Sequence, residues 1–210
     1  EGLYEDQKQG EKVKVTCTKS NEGFATAGGV QYVACAGNFK DAGLEYTGAL
    51  KVLQMIFSYE YLWIQIRVKG GAYGCMCSFS DQGDSMFVTY RDPNLSESYK
   101  VYDEAADYVA DFDADDRDMK KYIIGTIGSM DMPMEAVDMG ARSFHAYFLG
   151  KTEADLQKVR DQVLSCTQED IRALAPIVKA VVEAGNRCCI GNEEKIDQNK
   201  EYFDEVKHVL

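Results

Sequence analysis

The sequence predicts an α+β domain in which a sheet packs against helices, and three observations carry that prediction. Strand-like segments concentrate between Val30 and Tyr90, whereas from Leu95 onward the apolar residues follow helical spacing. One helix, Ala49 to about Tyr59, stands between the first strand and the next. The 210 residues, 45% hydrophobic and 28% charged with only 3 prolines, suit a single globular domain and leave no room for an extended disordered tract. No internal repeat or low-complexity run interrupts the chain.

Residues 1–23 are polar and rich in Lys, Glu and Gly, and read as a linker or the end of a preceding domain, with one short strand suggested at Val13-Lys14-Val15. Residues 24–210 then form the domain. Val30 to Cys35 is the first strand, bounded by Gly28-Gly29 and Gly37-Asn38. Leu50, Leu53, Ile56 and Phe57 give the helix its apolar face. Tyr61 to Val68 alternates, with Leu62, Ile64, Ile66 and Val68 on one side and Tyr61, Trp63, Gln65 and Arg67 on the other, which predicts a strand with one polar face. Cys75–Phe79 and Met86–Tyr90 flank the turn cluster Asp81-Gln82-Gly83-Asp84 and predict a hairpin, so three adjacent antiparallel strands are expected.

Helices are expected over Leu95–Phe112, around Met119 to Met130, and from Pro133 through Phe148 to a stop at Gly150. Thr152-x-x-Asp155 and Thr167-x-x-Asp170 are capping-box patterns ahead of two more. Cys188-Cys189-Ile190 reads as a last strand, and Glu193 to His208 as a terminal amphipathic helix.

With 23 Lys and Arg against 35 Asp and Glu, the net charge of −12 repels phosphate backbones and argues against nucleic acid as a partner. No apolar run approaches the roughly 20 residues of a membrane span. The 7 cysteines lie mostly in apolar stretches, as free thiols of a reducing compartment do. A start at Glu1 rather than Met fits a processed protein or a piece of a longer one.

Asp111, Asp113 and Asp115 imitate the opening of a calcium loop, but Asp116 stands where the sharp turn needs glycine and Tyr122 where a bidentate glutamate is needed. A solvated acidic turn ahead of a helix is the better account. Cys75-x-Cys77 with Cys188-Cys189 supplies four thiols without the knuckle spacing that wraps a zinc tetrahedron, so core packing is favoured. The two histidines, His145 and His208, form no H-x-x-E-H motif in either direction and no Cys/His dyad, so a complete metallohydrolase site is absent from the sequence. In Arg67-Val-Lys-Gly70-Gly71-Ala-Tyr73-Gly an arginine and a phenol flank two glycines. Both are donors able to converge on one carbonyl oxygen and stabilise the charge that develops there in acyl transfer. A tight hairpin with a surface arginine and a packed tyrosine is the competing account.

That string, with Tyr90-Arg-Asp-Pro-Asn-Leu95 downstream and Gly37-Asn38-Phe39 upstream, resembles the C-terminal domain of the presequence protease branch of the pitrilysin/insulinase superfamily, from about Asn21 to the end. The resemblance implies an antiparallel-rich sheet with helices packed on one face, as one of four homologous domains that close around an unstructured peptide. It implies zinc bound by another domain, the N-terminal catalytic half as partner, and none bound by this chain. Arg67 and Tyr73 would reach the scissile region, with Gln65, Gly70 and Gly71 beside the substrate. The chain alone is then expected to be an inactive fragment of a zinc metalloendopeptidase, from a bacterial cytoplasm or, as the alternative, an organelle matrix. A non-catalytic homologue serving as a peptide-binding or assembly module is the rival reading. A redox or metal protein built on the cysteines is a third.

Overall fold

A computed structural model describes residues 19–209; the suggested strand at Val13–Val15, Cys17 and most of the expected linker lie outside them. Its six-stranded sheet has β1 (Glu22–Thr26), β2 (Tyr32–Asn38), β3 (Gly74–Phe79), β4 (Asp84–Tyr90), β5 (Asn186–Asn192) and β6 (Glu205–His208), in the order β3-β4-β2-β5-β1-β6. The pairings from β3 to β5 are antiparallel, and β1 runs parallel to both β5 and β6. The expected hairpin is β3–β4, with Gly83 at its turn.

Alternation divides the sheet into two unlike faces. Val33, Cys35, Cys77, Phe79, Phe87 and Cys189 point into the core. There they meet Leu50, Leu53, Ile56 and Phe57 of α1 (Ala49–Tyr59) and the aromatic rings of α2 (Ser96–Asp103) and α3 (Ala105–Ala110). Two buried phenols tie helix to sheet: Tyr102 donates to the Val33 carbonyl at 3.0 Å and Tyr99 to that of Cys188 at 3.1 Å. The opposite face carries Tyr32, Met76, Met86, Tyr90 and Ile190, all exposed.

A second helical layer follows. α4 (Asp116–Met130) and α6 (Glu153–Leu164) pack over α1, and α5 (Ala136–Phe148) lies between them in the chain. α7 (Gln168–Arg172) and α8 (Ala175–Glu183) lead back to β5. Both capping boxes form, with Thr152 and Asp155 bonding reciprocally at the start of α6 and Thr167 and Asp170 at the start of α7. The acidic turn is a cap as well, since the Asp115 carboxylate accepts from the Arg117 and Asp118 amides.

Besides the first strand, which is Glu22–Thr26 rather than Val30–Cys35, three expectations are corrected. Tyr61–Val68 is helical, not a strand: α1 ends at Tyr59, the backbone bends at Glu60 (φ −112°, ψ −85°), and the helix resumes at Tyr61 and passes into a π-helical segment, Trp63–Lys69. The Glu60 amide donates to the Ile56 carbonyl at 2.8 Å and the Ile64 amide to that of Glu60 at 2.9 Å. No glycine, proline or turn cluster separates the two helical stretches, and each added residue gains a bond without a new nucleation cost. Tyr61, Leu62 and Ile66 are buried, whereas Ile64 and Val68 are 36% and 64% exposed, so the supposed core face is split. The third antiparallel strand beside the hairpin is therefore β2. Second, Cys188–Ile190 lies within β5 but is not the last strand. Third, the terminal helix ends early: α9 (Glu193–Gln198) is followed by a single turn at Lys200–Tyr202 and then β6, which pairs with β1.

Candidate active-site segment

Arg67 sits in the last turn of the π-helical segment, and the chain leaves that turn through Gly70 and Gly71 into Tyr73 at the head of β3. The Gly70 amide reaches back to the Gln65 carbonyl at 3.0 Å and the Gly71 amide to that of Arg67 at 3.1 Å. Both glycines are needed. A Cβ at Gly70 would meet the Ile66 carbonyl oxygen at 2.5 Å, and Gly71 has φ +80°, the left-handed region where a side chain is strained.

Arg67 is held on two sides. Its guanidinium lies over the Trp63 ring at 4.1 Å, and its Nε donates to the backbone carbonyl of Tyr73 at 2.9 Å. Arg67 is thus tied to Tyr73 through the tyrosine's backbone carbonyl and not through its phenol. The terminal nitrogens of Arg67 and the Tyr73 hydroxyl have no hydrogen-bond partner among the described residues, and Tyr73 is 66% exposed. Gln65 is half-buried and accepts from Lys69 at 3.3 Å.

The downstream string Tyr90 to Leu95 is the clamp on this turn. Asn94 donates to the Gly70 carbonyl at 2.6 Å, and the Arg91 carbonyl accepts from the Tyr73 amide at 3.3 Å. Asp92 is fully buried; its backbone exchanges bonds with Gln31 at 2.7 and 2.8 Å. Its carboxylate accepts from the Ser98 hydroxyl at 2.6 Å and the Asn94 amide at 2.9 Å. Burial pushes the Asp92 carboxyl above its ordinary value, and these hydrogen bonds only partly offset that. The Tyr90 ring meets Tyr73 edge-on at 5.7 Å and Tyr32 at 5.5 Å, so three tyrosines form a ladder across the uncovered sheet face. Trp63, Tyr90, Asn94 and Asp92 were not among the site residues the sequence suggested. The Tyr90-Arg-Asp-Pro-Asn string was visible, but a clamp between segments some twenty residues apart has no local signature.

The donor chemistry of the rest is modest. Among the described residues no group of three His, Cys, Asp or Glu is placed to hold a metal. Burial pushes the thiols of Cys35 and Cys75 up to about 11 and those of Cys166 and Cys189 up to about 12, and Cys77 and Cys188 also rise. Such thiols are poor thiolate ligands and poor nucleophiles. No helix among the described residues is long and apolar enough to cross a membrane.

The fold has solved counterparts. An M16 peptidase inactive domain from Pseudomonas fluorescens matches with a TM-score of 0.59 at 14% identity, over 86% of this chain and 46% of that one. Pitrilysin matches with a TM-score of 0.54 at 13% identity, over 84% of this chain and 20% of that one. The fold is therefore one that domains of the pitrilysin/insulinase-like (M16) peptidases share. Residues 21–192 match the PreP C-terminal domain, and the chain belongs to that family. "Protein HypA" of Clostridium perfringens is 43% identical over 91% of this chain and 20% of its own length. Presequence protease 1, chloroplastic/mitochondrial, of Arabidopsis thaliana is 34% identical over 90% of this chain and 18% of its own length. The chain therefore spans about a fifth of these curated relatives.

Proposed function

We propose that this chain is the C-terminal, non-zinc-binding domain of a zinc-dependent oligopeptidase that degrades unstructured peptides in a closed chamber. Arg67 and Tyr73 contribute to substrate binding and transition-state stabilisation, and Gln65, Gly70 and Gly71 line the approach. The observation that carries this reading is the state of Arg67. It is oriented by Trp63 and the Tyr73 carbonyl, yet its terminal nitrogens remain unbonded within the described chain, beside an exposed phenol. Donors fixed before the substrate arrives stabilise a developing oxyanion without reorganisation. The clamp by Asn94 and Asp92 supplies the rigidity this requires.

The zinc, held by the N-terminal catalytic half, would supply Lewis-acid activation of water there. On this reading the chain alone cleaves no peptide, and the compartment is a bacterial cytoplasm or an organelle matrix. In the assembled peptidase, Arg67→Ala and Tyr73→Phe should each lower kcat/KM on the order of 10²-fold or more while zinc stays bound. Unchanged turnover in both variants would refute the assignment. The second reading, a non-catalytic peptide-binding or assembly module, is favoured by the apolar residues on the uncovered sheet face. Under it both variants weaken assembly or peptide binding and no intact form of the protein hydrolyses peptides.

A further inference from the structure

Helix α5 is built inside out. Its strongest apolar stripe, Val137, Ala141, Phe144 and Phe148, recurs at i, i+4, i+7 and i+11, and none of the helix's residues is buried. Val137, Phe144 and Phe148 are 71%, 60% and 69% exposed. The Phe144 and Phe148 rings pack on one another at 4.6 Å, with Tyr147 edge-on to Phe148 at 5.9 Å. The segment is nevertheless tied to the domain at both ends. Before it, Asp131 takes a two-pronged hydrogen bond from Arg160 at 2.6 and 2.7 Å; after it, Lys151 is ion-paired with Asp81 in the β3–β4 turn. Gly140, in the middle of the helix, has open space where a Cβ would stand, so nothing in this chain's packing asks for the glycine that weakens the helix there.

We infer that the Val137–Phe148 stripe of α5 is a docking surface for another domain of the same, longer polypeptide, an apolar helix face or groove that crosses α5 closely at Gly140. The inference rests on the family membership, and on the length relation within it. Relatives at 43% and 34% identity carry about four-fifths of their length beyond the part this chain matches. Solved chains with this fold likewise hold about as much again: it accounts for 46%, 44% and 48% of three of them. Two other occupants are disfavoured by charge. A second copy brings −12 against −12, and an anionic lipid surface meets the same repulsion. An uncharged stripe on a strongly acidic domain suits a covalently linked partner, whose high effective concentration overcomes that field.

The test fuses this chain behind the preceding part of the Clostridium perfringens relative, in place of that relative's own matching segment. Hydroxyl-radical oxidation of Phe144, Tyr147 and Phe148 is then compared, at equal radical dose, with the isolated chain. Protection of about fivefold or more in the fusion is expected, because an interface core excludes water. Equal oxidation overturns the inference, and so does concentration-dependent protection in the isolated chain, which would assign the stripe to a second copy. A second arm needs only the isolated chain. The triple variant Val137→Ser, Phe144→Ser, Phe148→Ser should leave Tm within about 2–3 °C of the parent, as surface changes do. A much larger fall would mean that the stripe is already packed within this chain, and would also overturn the inference. Neither arm involves turnover, so the result stands apart from the fate of the peptidase reading.

Discussion

The guanidinium of Arg67 stacks on the indole of Trp63 at 4.1 Å, four residues back along the same helical segment. Such a contact contributes about 0.5–2 kcal/mol, depending on how far it is desolvated. Its consequence is positional, since it removes the rotamer freedom that a long arginine would otherwise lose on meeting a substrate. Trp63→Ala in the assembled peptidase should therefore lower kcat/KM by about 2- to 30-fold, well short of the loss on removing Arg67. Equal losses for Trp63→Ala and Arg67→Ala would mean that the indole itself meets the substrate.

The tyrosine ladder separates chemistry from packing. Tyr73→Phe keeps the ring against Tyr90 and removes only the hydroxyl, so stability should stay within about 0.5 kcal/mol while activity falls. Tyr90→Ala removes both edge-to-face contacts, about 0.5–1.5 kcal/mol each, and should lower the unfolding midpoint. Urea titration of the two variants distinguishes these outcomes.

Gly71→Ala places a methyl group at φ +80°, which costs on the order of 1–2 kcal/mol. Gly70→Ala drives a Cβ against the Ile66 carbonyl and should cost at least as much, with the damage centred on the turn that carries Arg67. Two variants as stable as the parent would show that the turn tolerates side chains.

Asp92 makes a prediction about pH. Its folded-state carboxyl is raised above its ordinary value, so it contributes stability at low pH that is lost as pH rises through the folded value. The carboxylates of Asp81 and Asp155 are lowered and act in the opposite direction. The informative quantity is therefore the difference between Asp92→Asn and the parent. It should move in the variant's favour as pH rises above about 4, and Asp92→Ala, which strands the Ser98 hydroxyl and the Asn94 amide, should cost about 1–3 kcal/mol at neutral pH. A pH-independent difference for Asp92→Asn would contradict the assigned direction.

The thiols test the redox alternative. A thiol raised to about 11 is ionised to roughly one part in a thousand at pH 8. In a Cys17→Ser variant, which removes the cysteine outside the described residues, the native protein should react with a disulfide reagent far more slowly than the same protein in denaturant. One rapid equivalent in the native state would point to a functional thiol.

Local signals account for much of this fold. α1 was legible from Leu50, Leu53, Ile56 and Phe57, the hairpin from its Asp-Gln-Gly-Asp turn, and both capping boxes from Thr and Asp three residues apart. Those features depend on neighbours within a few residues. Tyr61–Val68 was not legible, because Leu62 and Ile66 lie four apart, a spacing that a helix face and an alternating strand both satisfy. The side on which the core lies, which buries Leu62 and Ile66 and leaves Ile64 and Val68 out, decided between them.

Distance along the chain sets the other limit. β1 and β6 lie far apart in the chain and acquire strand character by pairing with each other, β1 also with β5, which no local window contains. At the site, the sequence by itself determined that an arginine and a tyrosine flank a pair of glycines. Tertiary structure alone decided that Arg67 bonds the Tyr73 backbone rather than its phenol, because the π turn at Gly70 and the clamp from Asn94 set where that carbonyl lies.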